Sequence, residues 1–267
     1  MSENRIQLQM KTLQDEGKKA FITYITAGLP DMGKTKEIIK AQEGITDVIE
    51  LGIPFSDPTA DGPVIQQASY EAIQAGASLR KSFSLMEELR GEGSDQPIVF
   101  MMYYNTIINY GIKEFADKCK SVGVDGLIVP DLPYEEQDAL NDALKACGDA
   151  TILIQLVSPI SAERIDTITA DAKGFIYCVS AMGVTGQGGS YHKDVTEYLK
   201  HVKSVSKIPV MMGFGIRTAA DVAPMKDVID GAIVGTHFIN LMREADFNPQ
   251  AATKYAEKFK KELNQLQ

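Results

Sequence analysis

The sequence has 267 residues, of which 44% are hydrophobic and 24% charged, so it is long enough and apolar enough to bury a sizeable core. A net charge of −9 and an isoelectric point near 4.9 argue against nucleic acid or an anionic membrane as partner, because both require an excess of Lys and Arg. The three cysteines form no C-x-x-C or Cys/His cluster, and no stretch is apolar for the length of a membrane span, so we expect a reduced, cytoplasmic protein without a metal site.

Eight short apolar runs recur along the chain, each followed by a polar turn and a segment with helical periodicity. The predicted strands are Phe21–Thr26, Asp47–Leu51, Pro97–Tyr103, Gly126–Val129, Thr151–Leu156, Gly174–Val179, Ile208–Gly213 and Gly231–Gly235. Strict alternation of strands and helices predicts parallel strands buried on both faces, in a doubly wound sheet or a closed barrel. Eight units favour a (β/α)8 TIM barrel, with residues 1–267 as a single domain.

Amphipathic helices are predicted between these strands, over Lys34–Glu43, Ile112–Val122, Glu135–Cys147, Ala162–Ala170, Asp194–Val205 and Ala219–Val228. An extra N-terminal helix, Ser2–Glu16, is expected to plug the bottom of the barrel. The long connection after strand two is itself predicted to be helical, as an insertion over Gly62–Ala75 and Leu79–Arg90. A closing helix is predicted over Pro249–Leu266.

Carboxylates mark the end of the second predicted strand and the loop behind it. Glu50 lies among apolar strand residues, and Asp61 ends a Pro-rich loop. Working residues of a barrel lie at the C-terminal ends of its strands, and burial would raise the pKa of Glu50 towards neutrality, which suits proton transfer in both directions. The alternatives are a rim glutamate paired with a lysine or solvated, and for Asp61 the N-cap of a helix that begins at Pro63.

Glycines follow the last three predicted strands. They are Gly183, Gly186, Gly188 and Gly189 after strand six, Gly213 and Gly215 after strand seven, and Gly235, with Thr236 behind it, after strand eight. Loops at these places commonly bind phosphate through backbone N–H groups, although glycine is also an ordinary turn residue. The Gly183–Tyr191 loop also has the composition of a mobile lid.

The segment from Glu50 to Pro63, ELGIPFSDPTADGP, resembles the signature of tryptophan synthase alpha chains. Further landmarks of that family follow in the same order over nearly the whole chain, at Phe21–Pro30, Met102–Asn105, Gly126–Pro133, Ser180–Gly186 and Gly213–Ile216. The resemblance implies a lyase that cleaves indole-3-glycerol phosphate into indole and glyceraldehyde 3-phosphate, without cofactor or metal. It also implies a tryptophan synthase beta subunit as partner, in a complex of two alpha and two beta subunits.

The same resemblance implies residue roles, with Glu50 and Asp61 as the catalytic carboxylates. The implied substrate contacts are Tyr24, Met101, Ile128, Leu156 and Tyr177 around the indole, and Gly186, Gly215, Gly235 and Thr236 at the phosphate. Thr185 would orient Asp61 when the lid closes. A partner docked across Pro54 and Asp57 would then operate the lid and the catalytic loop as one switch, unless this segment is only a stiff, packed turn.

Three positions depart from the expected family pattern. Tyr24 replaces a frequent Phe, Ala181 stands where some members carry Arg, and His237 ends a Gly-Thr-His sequence where Gly-Ser-Ala is usual. Another phosphate-binding barrel enzyme would share the late glycines but not the signature of Glu50 and Asp61, and the presence of both acids argues against a catalytically silent barrel. A lyase that works without a beta subunit remains compatible with the sequence.

Overall fold

The computed structural model describes residues 4–179, 190–213 and 215–266, and in these ranges it contains nine strands that form one parallel sheet. The strands are β1 (Ala20–Thr26), β2 (Val48–Gly52), β3 (Ile98–Met101), β4 (Gly126–Ile128), β5 (Ile152–Leu153), β6 (Gln155–Val157), β7 (Ile176–Val179), β8 (Val210–Gly213) and β9 (Gly231–Val234). Their order is β5-β4-β3-β2-β1-β9-β8-β7-β6, so the two ends of the sheet are consecutive in sequence. Only Ile154 separates them, which makes the barrel nearly closed.

The predicted (β/α)8 barrel is therefore confirmed, and its fifth predicted strand is divided in two. Ile154 donates its N–H to the Leu127 carbonyl at 2.9 Å, which continues the pairing of β5 with β4. The residues from Gln155 onward pair instead with β7 on the other side. This run thus changes neighbours where the barrel closes, which its continuous apolar pattern does not reveal.

Twelve α-helices surround or plug the sheet in the described ranges. They are α1 (Arg5–Asp15), α2 (Met32–Lys40), α3 (Pro63–Gln74), α4 (Leu79–Gly91), α5 (Tyr104–Tyr110), α6 (Ile112–Val122), α7 (Asp138–Ala146), α8 (Ile165–Ala170), α9 (Ser190–Val205), α10 (Ala219–Val222), α11 (Thr236–Glu244) and α12 (Pro249–Asn264). Short 3₁₀ turns cover Tyr134–Glu136, Pro159–Arg164 and Ala223–Met225. None of these helices is both long and apolar enough to cross a membrane. Helices α5 and α11 are not among the predicted segments, and the seven residues of α5 span too few turns for a periodic pattern.

The extra N-terminal helix and the helical insertion, α3 and α4, are both present as predicted. The apolar face of α1, formed by Ile6, Met10 and Leu13, lies in one buried cluster with the inward-facing strand residues. A Cβ on Gly126 would lie 2.9 Å from the Ile6 side chain, so the strand has no room there for a larger residue. The Asn4 side chain caps α1 and donates to the Asp125 carbonyl at 2.8 Å. The helix thus closes the N-terminal end of the barrel and leaves the carboxyl ends of the strands for a site.

Candidate functional site

Glu50 lies on β2 with its Cα paired to those of Tyr24 on β1 and Val99 on β3. Its side chain is in the barrel interior with only 1% of the residue exposed. Within the described part of the chain, its Oε2 is buried and has no hydrogen-bond partner. Burial first, and the nearby charge of Asp61 second, raise the pKa of Glu50 to about 8. The interpretation of this residue as a solvated or lysine-paired rim glutamate is therefore wrong.

Asp61 ends the loop that follows β2, and its carboxylate accepts a hydrogen bond from the Tyr103 hydroxyl at 2.8 Å. Burial raises the pKa of Asp61, and the bond from Tyr103 partly offsets that rise. The N-cap of α3 is Gly62, and no side chain caps this helix. The alternative interpretation of Asp61 as a helix cap is therefore wrong: its side chain is bonded to Tyr103 and lies close enough to Glu50 for its charge to act there.

Tyr103 is a site residue whose role the sequence did not identify. Besides donating to Asp61, its hydroxyl accepts the Ala60 N–H at 2.9 Å, and its ring stacks on Phe55 with centroids 5.0 Å apart. Tyr103 thereby fixes both ends of the Phe55–Asp61 loop, the proposed catalytic loop, to the end of β3. In the sequence, Tyr103 stands at the end of the strand that neighbours β2. That position fits a residue of the site and a residue that only packs against its neighbours equally well.

Tyr24 and Tyr177 both lie near the two carboxylates, and neighbouring glycines leave the space that their rings occupy. A Cβ on Gly52 would lie 2.1 Å from the Tyr24 hydroxyl, and a Cβ on Gly213 would lie 2.5 Å from the Tyr177 ring. Burial, followed by the charge of Glu50, raises the pKa of Tyr177. Both phenols are therefore neutral and close to the two acids.

A cleft of about 390 Å³ opens at this end of the barrel. Its walls include Ala60, Met101, Leu132, Leu156, Tyr177 and Val179. Three of the five residues expected around an indole thus line it. Ile128 does not line the cleft, since it is 1% exposed and belongs to the cluster beneath, against which Met101 and Leu156 pack. Tyr24 lies beside the cleft with Leu29 and Ile239.

The expected phosphate contacts are divided between described and undescribed parts of the chain. Gly215 is exposed with a φ of +52°, a left-handed conformation that favours glycine. Gly235 precedes α11, whose first residue is the exposed Thr236, so N–H groups without helical partners face outward there. A Cβ on Gly235 would lie 3.6 Å from the Tyr24 Cβ. The start of this helix is therefore beside Tyr24 and the space around Glu50 and Asp61, which we call the carboxylate pocket. Thr185, Gly186 and the other residues of the expected lid up to position 189 lie outside the described residues, whereas its last two, Ser190 and Tyr191, begin α9.

Three further predicted residues, Pro54, Asp57 and His237, lie in segments that follow strand ends. Pro54 is half-buried, and Asp57 is exposed and accepts a hydrogen bond from Ser56 at 2.5 Å. His237 lies over the Tyr255 ring with centroids 5.5 Å apart, and burial, then Arg217, lowers its pKa. Ala181 is outside the described residues. Among the described residues, no group of three or more His, Cys, Asp or Glu is arranged to hold a metal ion.

A nearly closed parallel barrel with a buried acid at the carboxyl ends of its strands defines a (β/α)8-barrel enzyme. A sequence profile of the family described as tryptophan synthase alpha chain matches residues 10–267. The chain belongs to this family, and it is a lyase that catalyses the alpha reaction of tryptophan biosynthesis.

Individual relatives agree with the family assignment. The tryptophan synthase alpha chain of Lachnospira eligens is 59% identical over 263 residues, which cover 98% of this chain and 99% of the relative. The crystal structure of tryptophan synthase subunit alpha from Legionella pneumophila superimposes with a TM-score of 0.87 at 33% identity, covering 99% of this chain and 100% of that one. A chain of the tryptophan synthase complex from Pyrococcus furiosus matches with a TM-score of 0.79 at 32% identity, covering 92% and 98%.

Proposed function

We propose that this chain cleaves indole-3-glycerol phosphate into indole and glyceraldehyde 3-phosphate at the cleft end of the barrel, with Glu50 and Asp61 as an acid–base pair. The observation that carries the proposal is the buried carboxyl group of Glu50, which has an unpartnered oxygen in the described structure and a pKa of about 8. A protein retains such a group against its desolvation cost when the group has a chemical task.

The two acids have different environments, which supports different tasks. Two carboxylates in one pocket do not readily ionise together, and Glu50 is the more deeply buried. Glu50 is therefore mostly protonated at neutral pH and can donate its proton to C3 of the indole ring. Asp61, partly exposed and hydrogen-bonded by Tyr103, is the carboxylate that accepts the ring N–H proton.

Cleavage then restores both acids to their starting forms. After C3 is protonated, Glu50 is a carboxylate and takes the proton of the adjacent side-chain hydroxyl. The electron pair of that O–H bond forms the aldehyde carbonyl, and the electron pair of the broken carbon–carbon bond returns to the indole ring. Asp61 returns the ring proton to nitrogen, and no redox partner is needed.

The substrate has an apolar ring and an anionic end, and the site offers a place for each. Met101, Leu156 and Tyr177 form apolar walls for the ring, Ile128 supports them from beneath, and Tyr24 closes one side. The phosphate is expected at Gly215, Gly235 and Thr236, where the α11 N–H groups favour an anion, together with Gly186. Thr185 belongs to the proposed lid and would orient Asp61 on closure.

We further propose a tryptophan synthase beta subunit as partner, in a complex of two alpha and two beta subunits. Pro54 and Asp57 lie in the catalytic loop, so a partner bound there can influence Asp61 through the loop and the lid together. Ile108 is 52% exposed and Ile160 is 85% exposed, both in segments that follow strand ends at this face. Exposed apolar residues around a site favour docking of another protein, and docking would let apolar indole pass on without release.

Two broader proposals accompany this one. Residues 1–267 form a single domain, and the contacts of both terminal helices support this. Helix α1 packs against the inward-facing strand residues at the N-terminal end of the barrel, and Lys260 of α12 pairs with Asp47 at the start of β2. The protein works in the cytoplasm, as fits three cysteines that are buried and free.

Indole release from indole-3-glycerol phosphate, with and without a saturating beta subunit, tests the function directly. We expect a low basal rate that rises about tenfold to a thousandfold with the partner, which corresponds to about 1.4–4 kcal/mol of coupling. No indole under either condition would refute the proposed function. An identical rate under both would refute the partner and favour a lyase that works alone.

A further inference from the structure

The hydroxyl group of Tyr24 is placed inside the carboxylate pocket by the strand register. Tyr24 and Glu50 are Cα partners on adjacent parallel strands, so their side chains project to the same face of the sheet, into the barrel. The phenol lies above Gly52, which is two residues beyond Glu50 on the same face and leaves the space that a Cβ would take. Asp61 and Glu50 are both close enough for their charges to act on Tyr24.

The hydrogen bonds in this pocket are incomplete. Thr26 Oγ1 donates to the Tyr24 hydroxyl oxygen at 3.4 Å. That bond uses Tyr24 as an acceptor, and no described group accepts the hydrogen of its own hydroxyl. Glu50 Oε2 likewise has no partner among the described residues. Buried polar groups are nearly always paired, so the pocket calls for a third group that accepts from Tyr24 and donates to Glu50. An alcohol hydroxyl does both.

We infer that Tyr24 is a specificity-determining residue whose hydroxyl donates a hydrogen bond to the substrate alcohol oxygen that gives its proton to Glu50. This inference rests on the proposed function and adds a polar contact to a residue otherwise assigned to the apolar wall. The proton of the alcohol goes to the Glu50 carboxylate, while Tyr24 retains its own proton throughout. A fixed donor at that oxygen stabilises the negative charge that develops as the O–H bond breaks.

The surroundings keep Tyr24 in its donor form. Burial first, then the charges of Asp61 and Glu50, raise the pKa of its phenol above the ordinary value. The bond from Thr26 fixes the hydroxyl oxygen and leaves its hydrogen directed away from Thr26. Tyr24 therefore acts by hydrogen bonding and not by proton transfer.

Tyr24→Phe, compared on two ligands, tests the inference. The ligands are indole-3-glycerol phosphate, followed as kcat/KM, and indole-3-propanol phosphate, which has the same ring and phosphate but no side-chain hydroxyls, followed as a dissociation constant. Loss of one hydrogen bond should lower kcat/KM by about tenfold and leave the affinity for the propanol compound within about twofold. Equal weakening of both ligands would show that Tyr24 has only a packing role, and unchanged kcat/KM would show that its hydroxyl is not used.

Two further variants separate this contact from general effects of removing a buried hydroxyl. Tyr198→Phe removes a buried phenol on α9, away from the cleft lining, and should change neither ligand. Thr26→Val should lower kcat/KM in the wild-type background but not in the Tyr24→Phe background, because Thr26 acts through Tyr24. Equal effects of Thr26→Val in both backgrounds would show that Thr26 does not act through Tyr24. A wild-type protein that releases no indole would overturn the proposed function, whereas active wild type with unaffected Tyr24→Phe overturns only this inference.

Discussion

Among the single residues, Glu50 shows how a buried acid at the proposed site can lower the free energy of unfolding of the whole fold. An exposed glutamate in an unfolded chain ionises near its ordinary pKa of 4.5, whereas the folded chain keeps Glu50 protonated up to about pH 8. The neutral carboxyl group is tolerated in the barrel interior because its desolvation cost is small compared with that of a carboxylate. The same burial that supplies a proton donor at neutral pH therefore lowers the free energy of unfolding at higher pH.

The activity should follow the protonation of Glu50. Since the proposed first step needs the acid form, kcat/KM should fall as the pH rises through about 8. Glu50→Gln should lower cleavage at least about a hundredfold while the propanol analogue still binds, and its residual rate should lack this alkaline decline. Initial rates of indole release from neutral to alkaline pH measure both effects. The same decline in the Gln variant would assign it to another group.

Stability should also favour the protonated form of Glu50. Because the folded pKa of Glu50 is raised, its favourable contribution is complete below about pH 4.5 and is lost as the pH rises to about 8. Glu50→Gln does not titrate, so its Tm should exceed that of the wild type by an amount that grows over this interval and levels off above it. Thermal unfolding at several pH values measures the difference. Glu257→Gln, on the exposed face of α12, is the matched control and should show no such trend.

Asp61→Asn should separate catalysis from helix capping. Its side chain does not cap α3, and Asn can still accept the Tyr103 hydrogen bond, so the Tm should stay nearly constant while indole release falls at least about tenfold. Asp31 does cap α2 by accepting the Lys34 N–H at 2.8 Å. Asp31→Ala should therefore lose about 1 kcal/mol of stability and keep its activity. A large Tm loss in Asp61→Asn would mean that the residue has a structural task.

Among the helices and strands, those at the N-terminal end of the barrel are joined by one buried carboxylate. Asp125, at the start of β4, accepts hydrogen bonds from Arg5 of α1 at 3.0 Å, from Arg90 of α4 at 2.8 Å and from the Ile98 N–H at 2.8 Å. It is 1% exposed, so these bonds form in a region of low dielectric constant. The plug helix, the helical insertion and two strands thus meet at a single side chain, far from the proposed active site.

Asp125→Ala should lower the free energy of unfolding by about 3–5 kcal/mol, because it leaves Arg90 partly buried without its carboxylate. Urea unfolding measures the loss. Asp95 also pairs with Arg5, at 3.4 Å, but its side chain is 92% exposed. Asp95→Ala is thus the matched control and should change the stability by no more than about 0.5 kcal/mol. Similar losses in both variants would show that burial of Asp125 is not what makes its bonds important.

In the molecule as a whole, the two ends of the barrel have separate tasks. The N-terminal end is filled by α1, whereas the carboxyl end has the cleft, the catalytic loop and the exposed apolar residues Ile108 and Ile160. The proposed chemistry and the proposed partner contacts therefore share one face, so a bound partner would alter the site through the loops alone, without deforming the sheet.

Ile160→Asp should weaken activation by the beta subunit, because a charge replaces an apolar contact at the proposed interface. The ratio of partner-stimulated to basal indole release, titrated against beta subunit, measures the effect, and we expect the half-saturating concentration to rise about tenfold. Leu8→Asp changes another exposed apolar residue, on α1 at the opposite end, and should leave the titration unchanged. Equal effects of the two substitutions would place the interface elsewhere.

The barrel and the family could both be predicted from sequence patterns. Continuous apolar runs alternating with amphipathic segments are local patterns, and they predicted every strand position and most helices because burial on one or both faces constrains each segment separately. The signature between Glu50 and Pro63 likewise indicated the family without reference to any contact. Two departures have a clear physical reason: the run around Ile154 divides where the barrel closes, and α5 is too short to show a period.

The assembly of the site depends on tertiary contacts that no local pattern contains. Asp61 and Tyr103 are 42 positions apart, and their hydrogen bond exists because β2 and β3 are neighbours. The burial of Glu50, its raised pKa and the space for Tyr24 above Gly52 depend in the same way on which strands lie side by side. Desolvation and hydrogen bonding are properties of a surrounding built from distant segments, so a local pattern can name the acids but cannot tell which of them is buried, paired or protonated.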